Sequence, residues 1–234
     1  MNHLMEEKAW ANEVQKMFTQ IAPRYDLMNR IMTINQDLSW RREVILLTHL
    51  PPMGSLLDLG TGTGRLAIEA VSQHPNAHVV AADFTLEMMK VGNHGDRTQA
   101  LAWCAADALH VPFPDKSFDA VVAGFLLRNV KDLEKCLIEQ LRILKLGGKL
   151  VTLDTTRPKP HLFAPLVNFY LTRVIPRIGQ VITGSIKPYQ YLPTSTLKFL
   201  TAESLANLLT SIGFHNVGFR HFMYGSVAIH WGEK

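Results

Sequence analysis

Ser55-Leu-Leu-Asp-Leu-Gly-Thr-Gly-Thr-Gly64 joins a short apolar run to a turn that has glycine at every second position. The apolar run predicts a buried strand over 55–59, and helical periodicity predicts a helix over 65–73. Glycines between a strand and a helix let the backbone turn sharply and approach a ligand closely. The first amides of a helix have no partners within it, so they can face that ligand. We therefore expect a strand, a ligand-binding turn and a helix, in this order.

Apolar runs of strand length recur after this unit, and helical patterns separate most of them. Strands that alternate with helices favour a parallel sheet. A tight turn at Tyr224-Gly225 joins the last two runs, and such turns connect antiparallel strands. The prediction is an α/β, Rossmann-like fold: a mostly parallel seven-stranded sheet with an antiparallel C-terminal edge strand and helices on both faces. The other predicted strands cover 78–82, 102–106, 118–123, 149–153, 217–223 and 226–231, and the other helices cover 86–91, 132–144 and 201–212.

Two regions of the chain show no strand pattern: residues 1–50, before the first predicted strand, and residues 155–196, between the fifth and the sixth. Helical spacing predicts a helix over 4–22 and a second helical region over 25–50. Residues 155–196 are rich in proline and aromatic residues, and their spacing is irregular, so we interpret them as an insertion. Because nothing marks a domain boundary, residues 1–234 are predicted to form a single domain with an N-terminal helical segment over 1–50. The apolar positions that give the first helix its period are Val14, Met17, Phe18 and Ile21.

The composition excludes several classes of protein. Hydrophobic residues make up 47% of the chain and charged residues 19%, whereas a disordered chain has few apolar residues and a high net charge. The net charge of +4 is below that of an obligate nucleic-acid-binding protein. Cys104 and Cys136 form no metal-binding pair, so we expect no metal site and a reducing compartment. No segment resembles a signal peptide or a membrane span, so we expect a cytoplasmic protein, in solution or peripheral on the inner face of the membrane.

The glycine turn distinguishes between nucleotide-binding motifs. A dinucleotide-binding loop requires glycine where this chain has Arg65, and a P-loop requires a Gly-Lys pair that this turn lacks. An acidic residue two positions before Gly-x-Gly-x-Gly instead resembles the first motif of class I S-adenosylmethionine (SAM) methyltransferases. In that family the loop passes under the methionine part of the cofactor, an acidic residue at the position of Asp83 binds the ribose hydroxyls, and the position of Asp107 and Ala108 holds the adenine. The resemblance implies SAM as the cofactor, bound by Asp58, Gly60, Thr61, Gly62, Thr63, Asp83, Asp107, Ala108 and Gly124.

Motifs outside the glycine turn narrow the family. Tyr25-Asp-Leu-Met-Asn29, Leu127-Arg-Asn129 and Asp154-Thr-Thr-Arg-Pro158 resemble signatures of the UbiE/COQ5 family of menaquinone and ubiquinone biosynthesis C-methyltransferases. Further matches near the C-terminus extend the resemblance over nearly the whole chain. The family usually has histidine at the position of Asp37 and glutamate at that of Asp154. These departures leave the fold and the cofactor unaffected, but they leave the exact quinone substrate open.

The resemblance implies methyl transfer to a ring carbon of a polyprenylated quinol, with demethylmenaquinol as the leading candidate. Such a carbon becomes nucleophilic when a neighbouring hydroxyl loses its proton, so the site needs an anion stabiliser or a proton acceptor. Arg128 and Asn129 follow the fourth strand, at the sheet edge where open α/β folds bind ligands. We assign Arg128 as a fixed cation for the quinolate, with water as the immediate proton acceptor, because arginine does not lose its proton. Asn129 then orients a ring oxygen or that water. The alternative is an ion pair of Arg128 with Asp132 and a capping role for Asn129.

Other substrate-binding candidates lie outside the core. Tyr25 and Asp26 either form a lid over the cofactor or belong to a turn, and Tyr189 and Tyr191 either line the substrate pocket or pack the insertion. The insertion mixes apolar and cationic residues, which suits docking to a lipid surface, a homodimer contact or a cover over a tunnel for the prenyl tail. The expected partners are a polyprenyl quinol and a membrane or a second copy of the chain, with no nucleic acid.

Two rival functions stay open. The first is methylation of a ubiquinone precursor or of another phenolic compound. The second is a non-catalytic assembly protein that holds SAM or a quinone without turnover. The complete glycine turn, Asp83 and the Arg128-Asn129 pair argue against the second rival.

Overall fold

A computed structural model describes residues 2–94, 98–157 and 164–234. One seven-stranded sheet has the order β3-β2-β1-β4-β5-β7-β6. Its strands are β1 (Ser55–Leu59), β2 (His78–Asp83), β3 (Leu101–Ala105), β4 (Phe118–Gly124), β5 (Leu144–Thr155), β6 (His215–Phe222) and β7 (Val227–Glu233). The helices are α1 (Asn2–Ile21), α2 (Tyr25–Thr33), α3 (Asp37–Leu47), α4 (Arg65–Gln73), α5 (Leu86–Gly92), α6 (Leu133–Ile143), α7 (Ala164–Phe169), α8 (Ile175–Thr183), α9 (Lys187–Lys198) and α10 (Ala202–Ile212).

Strand β1 lies at the centre of the parallel part of the sheet. Leu57 pairs with Val80 of β2 on one side and with Val121 of β4 on the other. Residues Leu56 to Leu59 are all buried, because helices cover both faces of the sheet and side chains that point to either face are shielded from solvent. Strand order reverses between β1 and β4, and open α/β sheets bind ligands beyond the carboxyl ends of the strands at such a point. The fold therefore places the glycine turn and the Arg128-Asn129 pair at one crevice.

The predicted antiparallel C-terminal strand is confirmed. Strand β7 runs antiparallel to both β5 and β6, while β1 to β5 are parallel to one another. The antiparallel strand β7 lies one position inside the edge, and β6 forms the edge itself.

The N-terminal helical region predicted over 25–50 consists of two helices. Ile34 and Asn35 separate α2 from α3, and both adopt left-handed backbone conformations, with φ of 53° and 60°. The Ile34 amide donates to carbonyls of the last turn of α2 and ends that helix. This break separates α2 from α3, and residues of both helices lie beside the glycine turn.

The sequence predicted no helix within the insertion at 155–196, whereas residues 164–198 are largely helical. Helix α7, a π-helical turn over Tyr170–Val174, α8 and α9 follow one another there. Pro176 and Pro188 occupy the first turns of α8 and α9, where a helix needs no amide donor. Proline in these positions starts helices, so the proline content did not indicate irregular backbone. That residues 1–234 form a single domain stays a prediction.

A third apolar cluster joins the N-terminal helices to the helices of residues 164–198. Ile21 and Met28 pack against Ile175 and Tyr189, and all four are buried. The other two clusters pack α3 and α4 against one face of the sheet and α6 and α10 against the other. The third cluster therefore holds α1 and α2 in place next to the crevice.

Candidate active site

The glycine turn depends on backbone conformations that favour glycine. Gly62 and Gly64 have φ of 58° and 75°, in the left-handed region that residues with a Cβ rarely adopt. A Cβ on Gly64 would lie 2.7 Å from the ring of Trp103, and one on Gly62 would lie 3.2 Å from Cε of Met88. The turn is thus packed against β3 on one side and leaves a narrow gap towards α5 on the other.

Asp58 stabilises the glycine turn through hydrogen bonds. Its Oδ2 atom accepts hydrogen bonds from the Thr61 hydroxyl at 2.5 Å and from the Ala67 amide at 3.0 Å. The side chain is buried, and burial raises the pKa of Asp58 to about 6. Asp58 therefore joins the end of β1 to both the turn and the first turn of α4.

Asp83 ends β2 beside the same turn. Its Oδ2 atom accepts from the Gly62 amide at 2.7 Å, and its Oδ1 atom accepts from the Thr85 amide at 2.6 Å. Burial raises the pKa of this carboxyl, although these two hydrogen bonds favour its charged form. The carboxylate is fixed in one orientation and lines the main cavity of the crevice.

This main cavity has a volume of about 520 Å³. The ends of β1, β2, β3 and β4 form its floor and α1 forms its roof. Asp107 and Ala108 lie in its wall, and Oδ1 of Asp107 is held by the Leu109 amide at 2.9 Å. The predicted site residues that line it are Tyr25, Gly60, Gly62, Asp83, Asp107, Ala108, Gly124 and Asn129.

A second, smaller cavity of about 20 Å³ lies on the other side of the glycine turn. Asp58, Thr61 and Thr63 line it, and so does Arg41 of α3. Gly60 and Gly62 border both cavities, so the cofactor-binding residues predicted from the sequence are divided between two neighbouring compartments of one site.

Helix α1 supplies cavity residues that were not among the sequence-predicted site residues. Trp10, Val14 and Phe18 line the roof of the main cavity. The Trp10 indole donates to the Asn129 carbonyl at 3.1 Å, and the Gln15 amide donates to the Phe84 carbonyl at 3.1 Å. The apolar period through Val14 and Phe18 was visible in the sequence, but it showed only that one face is buried and not what lies beneath that face.

Tyr25 and Asp26 are the first two residues of α2, and they have different roles. Tyr25 lines both cavities, and burial raises the pKa of its hydroxyl. Asp26 does not line the main cavity. Its carboxylate accepts from the Thr63 hydroxyl at 2.8 Å and forms two contacts with Arg65, at 2.8 Å from Nε and 2.7 Å from the terminal nitrogen. Asp26 therefore fastens α2 to the glycine turn.

Asn129 lies in a single helical turn, Leu127–Asn129, after β4. Its Nδ2 atom donates to the Phe125 carbonyl at 2.8 Å, and its Oδ1 atom accepts from the Tyr191 hydroxyl at 3.1 Å. Phe125, directly after β4, and Tyr191 of α9 thus fix the side-chain amide of Asn129 at the wall of the main cavity, and Trp10 of α1 binds its backbone carbonyl.

Arg128 does not line either cavity. Its guanidinium forms an ion pair with Asp154 of β5, and both side chains are buried. The guanidinium carbon lies 5.2 Å from the ring centre of Phe125, which lines the cavity, whereas Arg128 is not among the lining residues. Asp132, the alternative partner, instead caps α6 by accepting from the Lys135 amide at 2.9 Å. The Arg128 guanidinium therefore contacts the cavity wall at Phe125 but does not reach the cavity itself.

The two tyrosines of α9 are not among the residues that line either cavity. Tyr189 is buried in the cluster that joins α2 to α8, where its ring fills the space above Gly179. Tyr191 packs against Trp10 with 6.2 Å between ring centres and donates to Asn129. Tyr189 packs the helices together, and Tyr191 supports the cavity wall from behind.

Over residues 2–94, 98–157 and 164–234, no group of three His, Cys, Asp or Glu side chains is placed to hold a metal ion. No helix within these ranges has the length and apolar content to cross a bilayer.

Comparison with known sequences identifies a family. The sequence model of the ubiE/COQ5 methyltransferase family matches residues 1–234. The chain is 43% identical over 221 residues to the ubiquinone/menaquinone biosynthesis C-methyltransferase UbiE of Desulfotalea psychrophila, covering 94% of this chain and 90% of that protein. It is 40% identical over 220 residues to the demethylmenaquinone methyltransferase of Thermus thermophilus, covering 93% and 100% of the two chains.

Comparison with solved structures supports the fold. A SAM-dependent methyltransferase from Thermotoga maritima superposes with a TM-score of 0.64 at 19% identity, covering 94% of this chain and 98% of that chain. Phosphoethanolamine N-methyltransferase 2 of Haemonchus contortus, solved with SAM, superposes with a TM-score of 0.61 at 15% identity, covering 84% and 52%. At these identities the likeness concerns the fold alone.

The family match and the fold agree with the geometry of the crevice. The sequence-based prediction of a SAM-dependent methyltransferase with a Rossmann-like sheet is confirmed. The glycine turn, the carboxylate of Asp83 and the Leu-Arg-Asn turn that gave rise to this prediction all meet at one edge of the sheet. The chain belongs to the ubiE/COQ5 methyltransferase family.

Proposed function

We propose that this protein transfers a methyl group from SAM to a ring carbon of a polyprenylated quinol, with demethylmenaquinol as the preferred substrate. One observation carries the proposal: a single cavity has the glycine turn and Asp83 on one wall and Asn129 on another, with Tyr25 between the two compartments. The names of two relatives, demethylmenaquinone methyltransferase and ubiquinone/menaquinone biosynthesis C-methyltransferase UbiE, favour this substrate class.

The residues of the main cavity fit the cofactor. Asp83 presents a fixed carboxylate, which suits the two hydroxyls of a ribose because it accepts from both. The gap between Gly62 and Met88 is one that a Cβ would narrow, and Asp107 and Ala108 form the wall that would surround the adenine. Bound SAM supplies an electrophilic methyl group and leaves as S-adenosylhomocysteine.

Asn129 is the candidate catalytic group that reaches the cavity directly. Its amide, held by Phe125 and Tyr191, orients a quinol oxygen or the water that takes the proton. Preorganised donors of this kind stabilise developing negative charge without a cost of reorganisation. Arg128 contributes a fixed positive charge from behind Phe125, where its pairing with Asp154 weakens but does not remove its field at the quinolate.

The apolar walls of the cavity favour methyl transfer in a second way. Trp10, Val14 and Phe18 cover the site, so bulk water has little access to the reacting groups. In a site of low polarity the interaction of a quinolate with nearby dipoles is stronger than in water. Helix α1 therefore acts as part of the reaction chamber.

The helices of residues 164–198 are proposed to bring the enzyme to its lipid-borne substrate. Leu166, Phe169 and Val181 are 67%, 56% and 86% exposed, and the side chains of Arg173 and Arg177 are exposed between them in sequence. Apolar groups at a bilayer boundary with cations near anionic headgroups give reversible binding. The protein would then be cytoplasmic and peripheral on the inner face of the membrane.

Vesicle co-sedimentation tests the membrane proposal. Wild-type protein should sediment with vesicles that contain anionic lipid at low salt and less at high salt, because each cation near the surface adds about 1 kcal/mol. Val181→Asp should weaken sedimentation, whereas Leu146→Asp, at a site 77% exposed on β5, should not. Equal losses in both variants, or no sedimentation of the wild type, would contradict the proposal. A stable dimer in solution would then favour a contact between copies.

Radiolabelled SAM with a panel of quinols tests the reaction itself. We expect label in demethylmenaquinol and little in a polyprenyl benzoquinol. Preference for the benzoquinol would favour the ubiquinone pathway, which the name of the relative from Desulfotalea psychrophila includes. Binding of SAM without transfer to any quinol would favour an assembly protein.

A further inference from the structure

Tyr191 of α9 reaches the side chain of Asn129 through a hydrogen bond between residues 62 positions apart in the chain. The Tyr191 hydroxyl lies 3.1 Å from Oδ1 of Asn129. At the other end of the amide, Nδ2 lies 2.8 Å from the Phe125 carbonyl. Because a carbonyl can only accept, the group that faces Phe125 must be the NH₂ group, and the amide is held in one of its two orientations. The Tyr191 hydroxyl is therefore the donor to Oδ1.

The surroundings of Tyr191 suit a hydroxyl that stays a donor. Burial raises the pKa of Tyr191 above its ordinary value, so the hydroxyl keeps its proton near neutral pH. The ring packs against Trp10 with 6.2 Å between ring centres, and the Trp10 indole donates to the backbone carbonyl of Asn129 at 3.1 Å. Two aromatic residues from different helices thus hold the backbone and the side chain of Asn129.

The amide of Asn129 keeps one N–H and one lone pair of Oδ1 after these contacts, since an amide offers two of each. A quinolate oxygen carries negative charge, so it accepts from the N–H and is not bound by the lone pair. Donation from Tyr191 to Oδ1 also polarises the amide, which makes its N–H a stronger donor. Asn129 lines the main cavity, whereas Tyr191 lines neither cavity. The hydroxyl therefore acts through Asn129 and not by contact with the quinol.

We propose that Asn129 presents its remaining N–H group to the quinolate oxygen, and that Tyr191 is the positioning residue that orients and polarises this donor. On this account Asn129 is a donor to the ring oxygen and not an acceptor for a ring hydroxyl or a water molecule. The proposal deepens the proposed function and rests on its quinol.

Single-turnover methyl transfer to demethylmenaquinol tests the positioning role. Tyr191→Phe keeps the ring on Trp10 and removes only the hydroxyl. It should slow transfer about 3- to 10-fold, the effect of one lost neutral hydrogen bond, and leave SAM affinity by calorimetry unchanged. In an Asn129→Ala background the same change should have no further effect, because Tyr191 acts through that amide.

Tyr189→Phe is the matched control, because it makes the same change two residues away on the same helix. Tyr189 is buried in the third cluster, and its variant should transfer at the wild-type rate. Wild-type transfer in Tyr191→Phe, or an equal further loss in the Asn129→Ala background, would overturn the proposal.

Asn129→Asp distinguishes a donor from an acceptor at this position. The carboxylate has nearly the size of the amide, but when ionised it can only accept. Transfer should fall at least as far as in Asn129→Ala. Transfer at the wild-type rate would overturn the proposal, because an acceptor would then suffice.

A naphthol with a short prenyl chain gives a readout that needs no methyl transfer, because its absorbance reports ionisation. With S-adenosylhomocysteine present, it should ionise at lower pH on the wild type than on Tyr191→Phe, since a hydrogen bond to the charged form favours that form. Arg128 and Asp154, whose charges act on the Tyr191 hydroxyl, are the same in both proteins.

Equal ionisation on the two proteins, or no binding of the naphthol to the wild type, would overturn the proposal. A wild type that ionises the naphthol at the lower pH but transfers no methyl to any quinol would contradict the proposed reaction and leave the Tyr191 assignment supported.

Discussion

The Asp83 carboxylate accepts a hydrogen bond from the backbone amide of Gly62, with 2.7 Å between Oδ2 and N. This contact joins the end of β2 to the turn that follows β1. Asp83, which is proposed to bind the ribose, therefore forms one rigid unit with the glycine turn. Preorganisation of this kind lowers the cost of ordering the site when a ligand binds.

Replacement of Asp83 by alanine should weaken SAM binding about 10- to 100-fold, because the ribose loses a charged acceptor worth about 1.5–3 kcal/mol. Calorimetry with SAM measures the change. Asp115→Ala is the control, since Asp115 is exposed and pairs with Arg142. Unchanged affinity in Asp83→Ala would contradict its role, and tighter binding of NAD than of SAM would contradict the cofactor.

Asp58 should destabilise the ligand-free protein near neutral pH. Burial raises its pKa from 3.8 to about 6, so between these values the folded state holds a proton that the unfolded state has released. The free energy of unfolding therefore falls as the pH rises through this window, and the penalty persists above it.

Asp58→Asn stays uncharged, and its side-chain oxygen can still accept from Thr61 and Ala67. It should raise the free energy of unfolding by roughly 1–3 kcal/mol near neutral pH and have little effect near pH 4, which urea denaturation measures. An equally large gain at both pH values would point to packing instead of ionisation.

Asn129→Ala should lower single-turnover methyl transfer about 10²–10³-fold, as expected when one preorganised donor is lost at a developing oxyanion. Affinity for SAM should change by less than about threefold, because the side chain of Asn129 is assigned to the quinol and not to the cofactor. Loss of SAM binding would instead place Asn129 in the cofactor site or in the fold.

Arg128→Ala should also impair transfer, but it leaves Asp154 buried without its partner, a loss of about 3–5 kcal/mol of stability. Arg128→Lys should be impaired because lysine lacks the planar fork. The double variant Arg128→Ala/Asp154→Asn separates the two roles: stability should return, whereas transfer should not. Full recovery of transfer would show that the arginine acts only through the fold.

Asp26→Asn should loosen α2 from the glycine turn, because the ion pair with Arg65 is lost. Amide hydrogen exchange in α1 and α2 should become faster, and S-adenosylhomocysteine should dissociate faster. Glu43→Gln breaks the exposed pair of Glu43 with Arg220 and should change neither rate. Faster exchange in both variants would indicate general destabilisation.

Much of the sheet was predictable because its strands are short apolar runs. Strand β1 and helix α4 match the predicted ranges 55–59 and 65–73 residue for residue. Strand β5 was predicted from Lys149 but begins at Leu144, because pairing of Leu144 with Phe118 extends the ladder past a register shift. Hydrophobic pattern marks burial, and pairing with a neighbour decides where a strand starts.

Site residues could be predicted where the backbone conformation limits the residue type. They were harder to predict where the contacts join residues far apart in the sequence. The local sequence indicated the glycines of the turn, through their spacing, and Asp83, through its position at the end of a strand. No local pattern indicated Arg41 or Trp10, since their positions in the site depend on how α3 and α1 pack against the sheet. Tyr189 and Tyr191 were both candidates for the substrate pocket, yet only the packing of α9 separates a core tyrosine from one that supports Asn129.

Product analysis with SAM that carries a deuterated methyl group tests the central claim most directly. After incubation of the wild-type enzyme with demethylmenaquinol, mass spectrometry should find one deuterated methyl on a ring carbon and none on oxygen, with one S-adenosylhomocysteine per product. Label on a quinol oxygen, or no labelled quinol although SAM binds, would contradict the account.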